Sequence, residues 1–345
     1  MLPTLWFCIL SGMLAVYVVL DGFDLGAGIV HLGLTRTESE RRAVFQAIGP
    51  VWDGNEVWLI AGGGTLYFAF PRLYAAAFEG FYLPLMIVLW LLILRGISIE
   101  FRNHIDNAVW RPIWDVVFSG SSALLAIFLG AALGNVVRGV PLDASGGFFL
   151  PLWTSFEPGP NPGILDWYTV LVGAYAYLAL AMHGTLYLYL KTEGVLHRRA
   201  ALLARRAWYF VAALTVPVTL ISFRIQPHIQ ESFAAFPAGY AFPVLACIGL
   251  AGVYIYLNRE DELKAFLASC FYLLAMLASV VCGLLPLVLP GTSPQYSLTV
   301  TNASAAESGL RIGLLWFMPG AALAVFYFVF LYRKFAGKVP VGSPQ

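Results

Sequence analysis

The chain has 345 residues, 60% of them hydrophobic and only 11% charged, with a net charge of +1. Soluble domains carry about 25% charged residues, so a water-soluble globular fold is excluded. The near-neutral charge gives no electrostatic footprint for a nucleic-acid partner. The mean hydropathy of +0.78 and recurrent apolar runs of bilayer-spanning length mark an all-α integral membrane protein in a lipid bilayer. Helices are expected rather than barrel strands, because lipid-facing backbone must satisfy its own hydrogen bonds and the runs are long and continuous.

Nine spans are predicted, over residues 5–34, 50–70, 74–99, 113–137, 164–190, 207–226, 238–257, 265–289 and 310–332. The loops between them alternate in charge. One set, with Arg36, Arg41, Arg42, Arg95, Arg102, Arg111, Lys191, Arg198, Arg199, Arg205, Arg206, Arg259, Lys264, Arg333, Lys334 and Lys338, holds 16 of the 20 basic residues; the other set holds Arg72, Arg138, Arg224 and Arg311. The positive-inside rule then places the N-terminus outside and the C-terminus in the cytoplasm. No basic segment precedes the first apolar run, so that run reads as a retained span rather than a signal peptide. Cys8, Cys247, Cys270 and Cys282 lie in apolar runs without a paired motif and read as small buried hydrophobes.

Span one contains Asp21 and Asp24, three residues apart on one helix face, with Gly22 and Gly26 four apart, a spacing that admits close helix approach. His31 lies near its inner end. Span two opens with Trp52, Asp53, Asn55 and Glu56 and continues through Gly62, Gly63 and Gly64. Ionisable groups in a membrane span cost roughly 2.5–3.5 kcal/mol each on insertion scales, so they usually have partners and a role. The glycines suggest a close-packing face. Span three carries Glu79 in its outer half and ends at Glu100, close enough to Arg102 for an interfacial pair. Asp115 opens span four and reads as interfacial. No two of the five histidines share ligand spacing on one helix, and no phosphate loop, nucleophilic triad or metal motif is present.

The segments 35–43 and 191–200 both carry an Arg-Arg-Ala after an outside-to-inside span. Read as a repeat, they divide a single membrane domain, 1–345, into a first four-helix unit (1–137), a second four-helix unit (164–289) and a ninth helix (310–332). Read as chance likeness between basic loops, they divide nothing. From the residues alone, the carboxylates of spans one to three suit a proton path or a cation site, and a cation-coupled secondary transporter is the rival class.

Three stretches, Leu20 to Gly28 (LDGFDLGAG), Ile48 to Leu59 (IGPVWDGNEVWL) and Tyr74 to Tyr82 (YAAAFEGFY), closely resemble subunit II of the cytochrome bd quinol oxidases, a family that includes the cyanide-insensitive oxidases. The resemblance is densest over the first 115 residues and extends in topology over the whole chain. It implies a respiratory electron-transport complex in the bacterial inner membrane that oxidises quinol and reduces dioxygen to water, with this chain as one half of a heterodimer. It further implies that subunit I carries two haems b and one haem d, and that this chain ligates none of them. In some members this subunit holds a structural quinone, and some complexes include a small accessory subunit. By the same resemblance, Asp53 and Glu100 fall on a proton path from the cytoplasm. Glu56 stands where some relatives have Gln; it would either join that path or be neutral to it. Asp21, Asp24, Trp52 and Asn55 would form a buried polar network.

Overall fold

A computed structural model describes residues 1–159 and 161–340. The chain begins with α1 (Leu2–Leu34), a helix about 50 Å long at 1.5 Å per residue. It ends at Thr35, whose hydroxyl and amide both return to the His31 carbonyl. A short amphipathic helix, α2 (Glu38–Ile48), follows. It is started by a reciprocal cap in which the Thr37 hydroxyl accepts from the Glu40 amide and Glu40 accepts from the Thr37 amide. Next come α3 (Trp52–Ala69), α4 (Pro71–Gly80), α5 (Tyr82–Phe101) and α6 (Trp110–Arg138). The second half contains α7 (Trp167–Lys191), α8 (Gly194–Ile225), α9 (His228–Ala235), α10 (Ala241–Asn258), α11 (Glu262–Leu284) and α12 (Glu307–Lys334). A two-stranded antiparallel ribbon, β1 (Leu287–Leu289) with β2 (Leu298–Thr299), lies between the last two helices.

Among the described residues, eight helices are long and apolar enough to cross a membrane: α1, α5, α6, α7, α8, α10 with the turn before it, α11 and α12. The sequence suggests nine. The difference is α3, whose 18 residues include Asp53, Asn55 and Glu56 within its first five positions. The span drawn over 74–99 is also broken, into α4 and α5. Pro84 has no amide to give the Gly80 carbonyl four residues back. That carbonyl instead accepts from the Leu150 amide at 3.4 Å, across a loop. In the other direction α8 starts at Gly194 rather than 207, carrying Arg198, Arg199, Arg205 and Arg206 on its first turns.

The main core runs along α1, α6, α7, α8, α10 and α11. At the tightest crossing Gly26 of α1 meets Gly184 of α7. A Cβ on Gly26 would collide with the Leu180 carbonyl and lie 2.7 Å from the Gly184 Cα. A second apolar cluster closes the end opposite the basic loops, where Trp6, Phe70, Val140, Leu150, Leu289 and Leu298 pack together. The long segment after α6 is therefore anchored. Arg138 pairs with Asp166 and donates to the Gly163 carbonyl at 3.0 Å. In the same segment the Ser145 hydroxyl and the Ser145 and Gly147 amides donate to Asp143, holding its carboxyl below the usual carboxylate range. Of the four cysteines only Cys282 is buried; Cys270 is half-buried, while Cys8 and Cys247 lie on the exposed apolar surface, so the expectation of burial fails for them. The helix α12 buries only Leu310 and Leu331 against the rest of the chain.

Candidate functional site: carboxylates between α1, α3 and α5

The spacing of Asp21 and Asp24 turns both side chains of α1 toward α3 and α5. Arg95 of α5 holds Asp21 through both oxygens of the carboxylate, one of the two contacts measuring 2.9 Å. Both side chains are 0% exposed. The same guanidinium lies 3.9 Å from Glu56 of α3, whose side chain keeps 21% exposure. Asp24 accepts from Asn55 Nδ2 at 2.7 Å, and that amide also donates to the Leu20 carbonyl at 3.2 Å. On its other side Asn55 Oδ1 accepts from the Tyr332 hydroxyl of α12 at 2.8 Å. Trp52 covers this group by lying over Gly96, the residue after Arg95.

Asp21 and Glu56 thus face one guanidinium, with Asp24 one turn along α1 and held by Asn55. All three cannot be ionised in a low-dielectric interior without leaving net negative charge, so the arrangement can hold an exchangeable proton. The other two candidates lie elsewhere. Asp53 and Glu100 are both exposed on the surface of this chain. Neither side chain makes a hydrogen bond or ion pair among the described residues. The pairing expected between Glu100 and Arg102 is not formed. Arg102 is wholly buried and serves Asp115 (Nε to Oδ1, 2.6 Å) and Glu38 (2.9 Å) instead.

Asp115 therefore departs from its interfacial reading. It is 0% exposed and collects Arg102, Arg41 at 3.3 Å and His31 at 2.7 Å. With two guanidinium groups on that carboxylate, the proton of the neutral imidazole belongs on Nε2. This cluster joins the basic ends of α1, α5 and α6 to α2. Sequence reasoning missed Arg95, Arg102, Asp115 and Tyr332. Loop-charge counting groups Arg95 and Arg102 with the basic loops, although Arg95 lies six residues before the end of α5 and, seven residues from Arg102, shares its buried face. That seven-residue spacing was the available signal.

The glycines of α3 divide. A Cβ on Gly62 would meet Leu14 of α1 at 2.9 Å, whereas Gly63 and Gly64 face nothing in this chain within 4 Å. Both ring nitrogens of His183 are engaged, with Ser269 and the Val19 carbonyl. The His31 ring is bonded to Asp115 and packed edge-on against Phe45 and Phe118. Among the described residues no group of three or more His, Cys, Asp or Glu could hold a metal ion.

The family model described as cytochrome bd terminal oxidase subunit II matches residues 2–335. The chain is 30% identical over 334 residues to a cytochrome bd ubiquinol oxidase subunit 2 of Bacillus subtilis, covering 95% of this chain and 92% of the relative. It is 29% identical over 371 residues to the cytochrome bd-I ubiquinol oxidase subunit 2 of Escherichia coli K12, covering 97% and 94%. In fold it is similar to a chain of the bd oxidase from Geobacillus thermodenitrificans, with a TM-score of 0.76, 17% identity and coverage of 97% and 98%.

Proposed function

We propose a role for this chain from the fact that it belongs to the cytochrome bd terminal oxidase subunit II family. It is a multi-pass membrane protein and one subunit of a quinol oxidase complex that contains haem, and the cation-coupled transporter reading is not favoured. Within that complex this chain ligates no haem, the two haems b and the haem d belonging to subunit I. The complex sits in the bacterial inner membrane, oxidises quinol and reduces dioxygen to water. The chain crosses the bilayer nine times, with α3 as the ninth span, the N-terminus outside and the basic end of the bundle in the cytoplasm.

Its chemical contribution is to admit protons from the cytoplasmic side. The supporting observation is the set of carboxylates at the basic end of α1, α3 and α5: Asp21, Asp24 and Glu56 around Arg95, with Asp53 one turn away on α3. Among the described residues no side chain of this chain claims Glu100 or Asp53, and they stand where protons enter; subunit I covers them in the complex. A helix that costs stability through Asp53, Asn55 and Glu56 is retained because its two carboxylates carry protons. The two-unit division gains support from the basic loops. Thr35 and Thr192 end α1 and α7 with the same hydroxyl-to-carbonyl cap, and Arg199 of the second loop binds Glu40 of the first.

The test is Glu100→Gln beside Asp53→Asn in the assembled complex. Slower oxygen consumption at unchanged haem absorbance supports proton entry here. Loss of the haem bands in both variants would assign these residues to assembly instead.

A further inference from the structure

At the basic end of the bundle α8 and α10 lie side by side, and the edge between them is set with arginine and tyrosine. Arg205 of α8 reaches across to the Leu257 carbonyl in the last turn of α10, at 3.4 Å. Among the described residues this is its one hydrogen bond, and its Nε is covered without a partner, so most of the N–H donors of this guanidinium are unused. Arg206, the next residue, and Arg259, which follows α10, are both exposed and form no ion pair among the described residues. Of the acidic residues beside them, Asp261 is held by Lys264 at 2.7 Å and Glu262 by Lys338 at 2.7 Å. Glu260 alone stands against the three arginines.

One turn deeper the arginines give way to an aromatic group. Trp208 donates its indole N–H to the Leu250 carbonyl at 2.7 Å and lies against the Tyr254 ring, with centroids 4.7 Å apart. The Tyr209 ring is 5.2 Å from Trp208 and 6.3 Å from Tyr254. The two tyrosine hydroxyls lie close to one another beside Arg205. Both side chains are open to the outside, Tyr209 by 54% and Tyr254 by 37%. Beneath them the walls become small. Ala213, one turn after Tyr209, and Ala251, three residues before Tyr254, are exposed on the same helix faces. Helix α10 packs chiefly on α11 and α8 chiefly on α7, so a trough runs between α8 and α10 from the guanidinium groups into the apolar zone.

We propose that this trough binds an anionic glycerophospholipid of the leaflet at the basic end of the bundle, with its phosphate on Arg205 and its acyl chains over Ala213 and Ala251. A guanidinium takes a phosphate through two parallel N–H···O bonds, and Arg205 has the donors to spare. The hydroxyls of Tyr209 and Tyr254 donate to the phosphate and ester oxygens, while their rings lie at headgroup depth, where amphipathic aromatic side chains are favoured. Charge selects the headgroup. Arg206 and Arg259 attract a lipid with net negative charge, whereas a zwitterionic lipid brings its own cation among three arginines. The bound lipid bridges α8 and α10 where the hydrogen bonds of Arg205 and Trp208 link them. The site uses none of the carboxylates between α1, α3 and α5, and it stands whether or not they carry protons.

The experiment is native mass spectrometry of the whole complex, delipidated in detergent and titrated with dioleoyl phosphatidylglycerol or, separately, with dioleoyl phosphatidylcholine. Wild type is compared with the double variant Arg205→Gln, Arg206→Gln. The variant is expected to keep its haem absorbance, to bind its tightest phosphatidylglycerol about tenfold more weakly or worse, the scale of one charge-assisted hydrogen bond, and to bind phosphatidylcholine as wild type does. Equal phosphatidylglycerol affinity in the two complexes would overturn the proposal. So would a parallel loss of both lipids, which marks an apolar trough without headgroup selection. Where the arginine variant loses haem, Tyr209→Phe with Tyr254→Phe decides, since it keeps both rings and removes only the hydroxyls. Weaker phosphatidylglycerol binding at normal haem absorbance then supports the site, and wild-type binding overturns it.

Discussion

Arg95 and Asp21 meet through both terminal guanidinium nitrogens and both carboxylate oxygens, and neither side chain has any exposed surface. Removing one member leaves the other charged and unpaired in a medium that cannot solvate it. Arg95→Leu is therefore expected to cost about 3–5 kcal/mol, read as a lower thermal inactivation temperature of the purified complex. Asp21→Asn combined with Arg95→Gln removes both charges and should recover most of that loss. A double-variant loss equal to the sum of the two single losses would show that the two residues are not energetically coupled.

A second buried charge cluster gives a matched contrast. Asp115 is the shared acceptor of Arg102, Arg41 and His31, so Asp115→Ala leaves the wholly buried Arg102 with only Glu38 to balance its charge and should destabilise by about 3 kcal/mol. Asp106, 88% exposed, pairs with Arg111 at 3.1 Å, and Asp106→Ala should change stability by no more than about 1 kcal/mol. Inactivation temperatures of the two variants check both statements.

Gly26 and Gly63 look alike in sequence and differ in surroundings. Gly26→Ala forces α1 away from α7 at the Leu180 carbonyl, and overpacking of this kind costs about 1–3 kcal/mol. Gly63 has open space within this chain, and a mid-helix glycine costs about 1 kcal/mol relative to alanine. Ile60, nearly one turn away, is 72% exposed. A contact with the partner subunit at this face would account for both. Gly63→Leu is expected to leave this chain folded and to lower the amount of haem-bearing partner that co-purifies with it.

Glu56 occupies the margin of the network, 3.9 Å from an arginine already held by Asp21. Glu56→Gln should leave haem absorbance unchanged and slow oxygen consumption less than Asp53→Asn does. Rates measured side by side at saturating quinol decide it.

Much of this arrangement could be read from spacing. The three-residue step between Asp21 and Asp24 turns both onto one face of α1, and the Gly22–Gly26 pair marks the face that meets α7, where Leu180 and His183 approach Gly22. Long-range partners were not legible in the same way. Arg95 and Arg102 sit near the basic loops, and loop charge counting treats every arginine there as solvated; only tertiary packing reveals that both are buried. Asp115 follows Trp114 at a predicted span edge, where an interfacial residue is the ordinary case. Its burial depends on α2 folding across the ends of α1, α5 and α6, an element hidden inside what reads as a loop. The break between α4 and α5 was visible as Pro84, but apolar continuity on both sides concealed it. Tyr332 lies 277 residues from Asn55, beyond the reach of any local pattern.

The most direct measurement is oxygen consumption and charge separation by the Asp53→Asn complex reconstituted in vesicles, with haem content determined from its visible spectrum. If protons enter through this chain, haem content stays normal while oxygen reduction and the accompanying rate of charge separation fall together by about a hundredfold, the low end of what a positioned proton-transfer group contributes. Normal haem content with wild-type oxygen reduction and wild-type charge separation would contradict it.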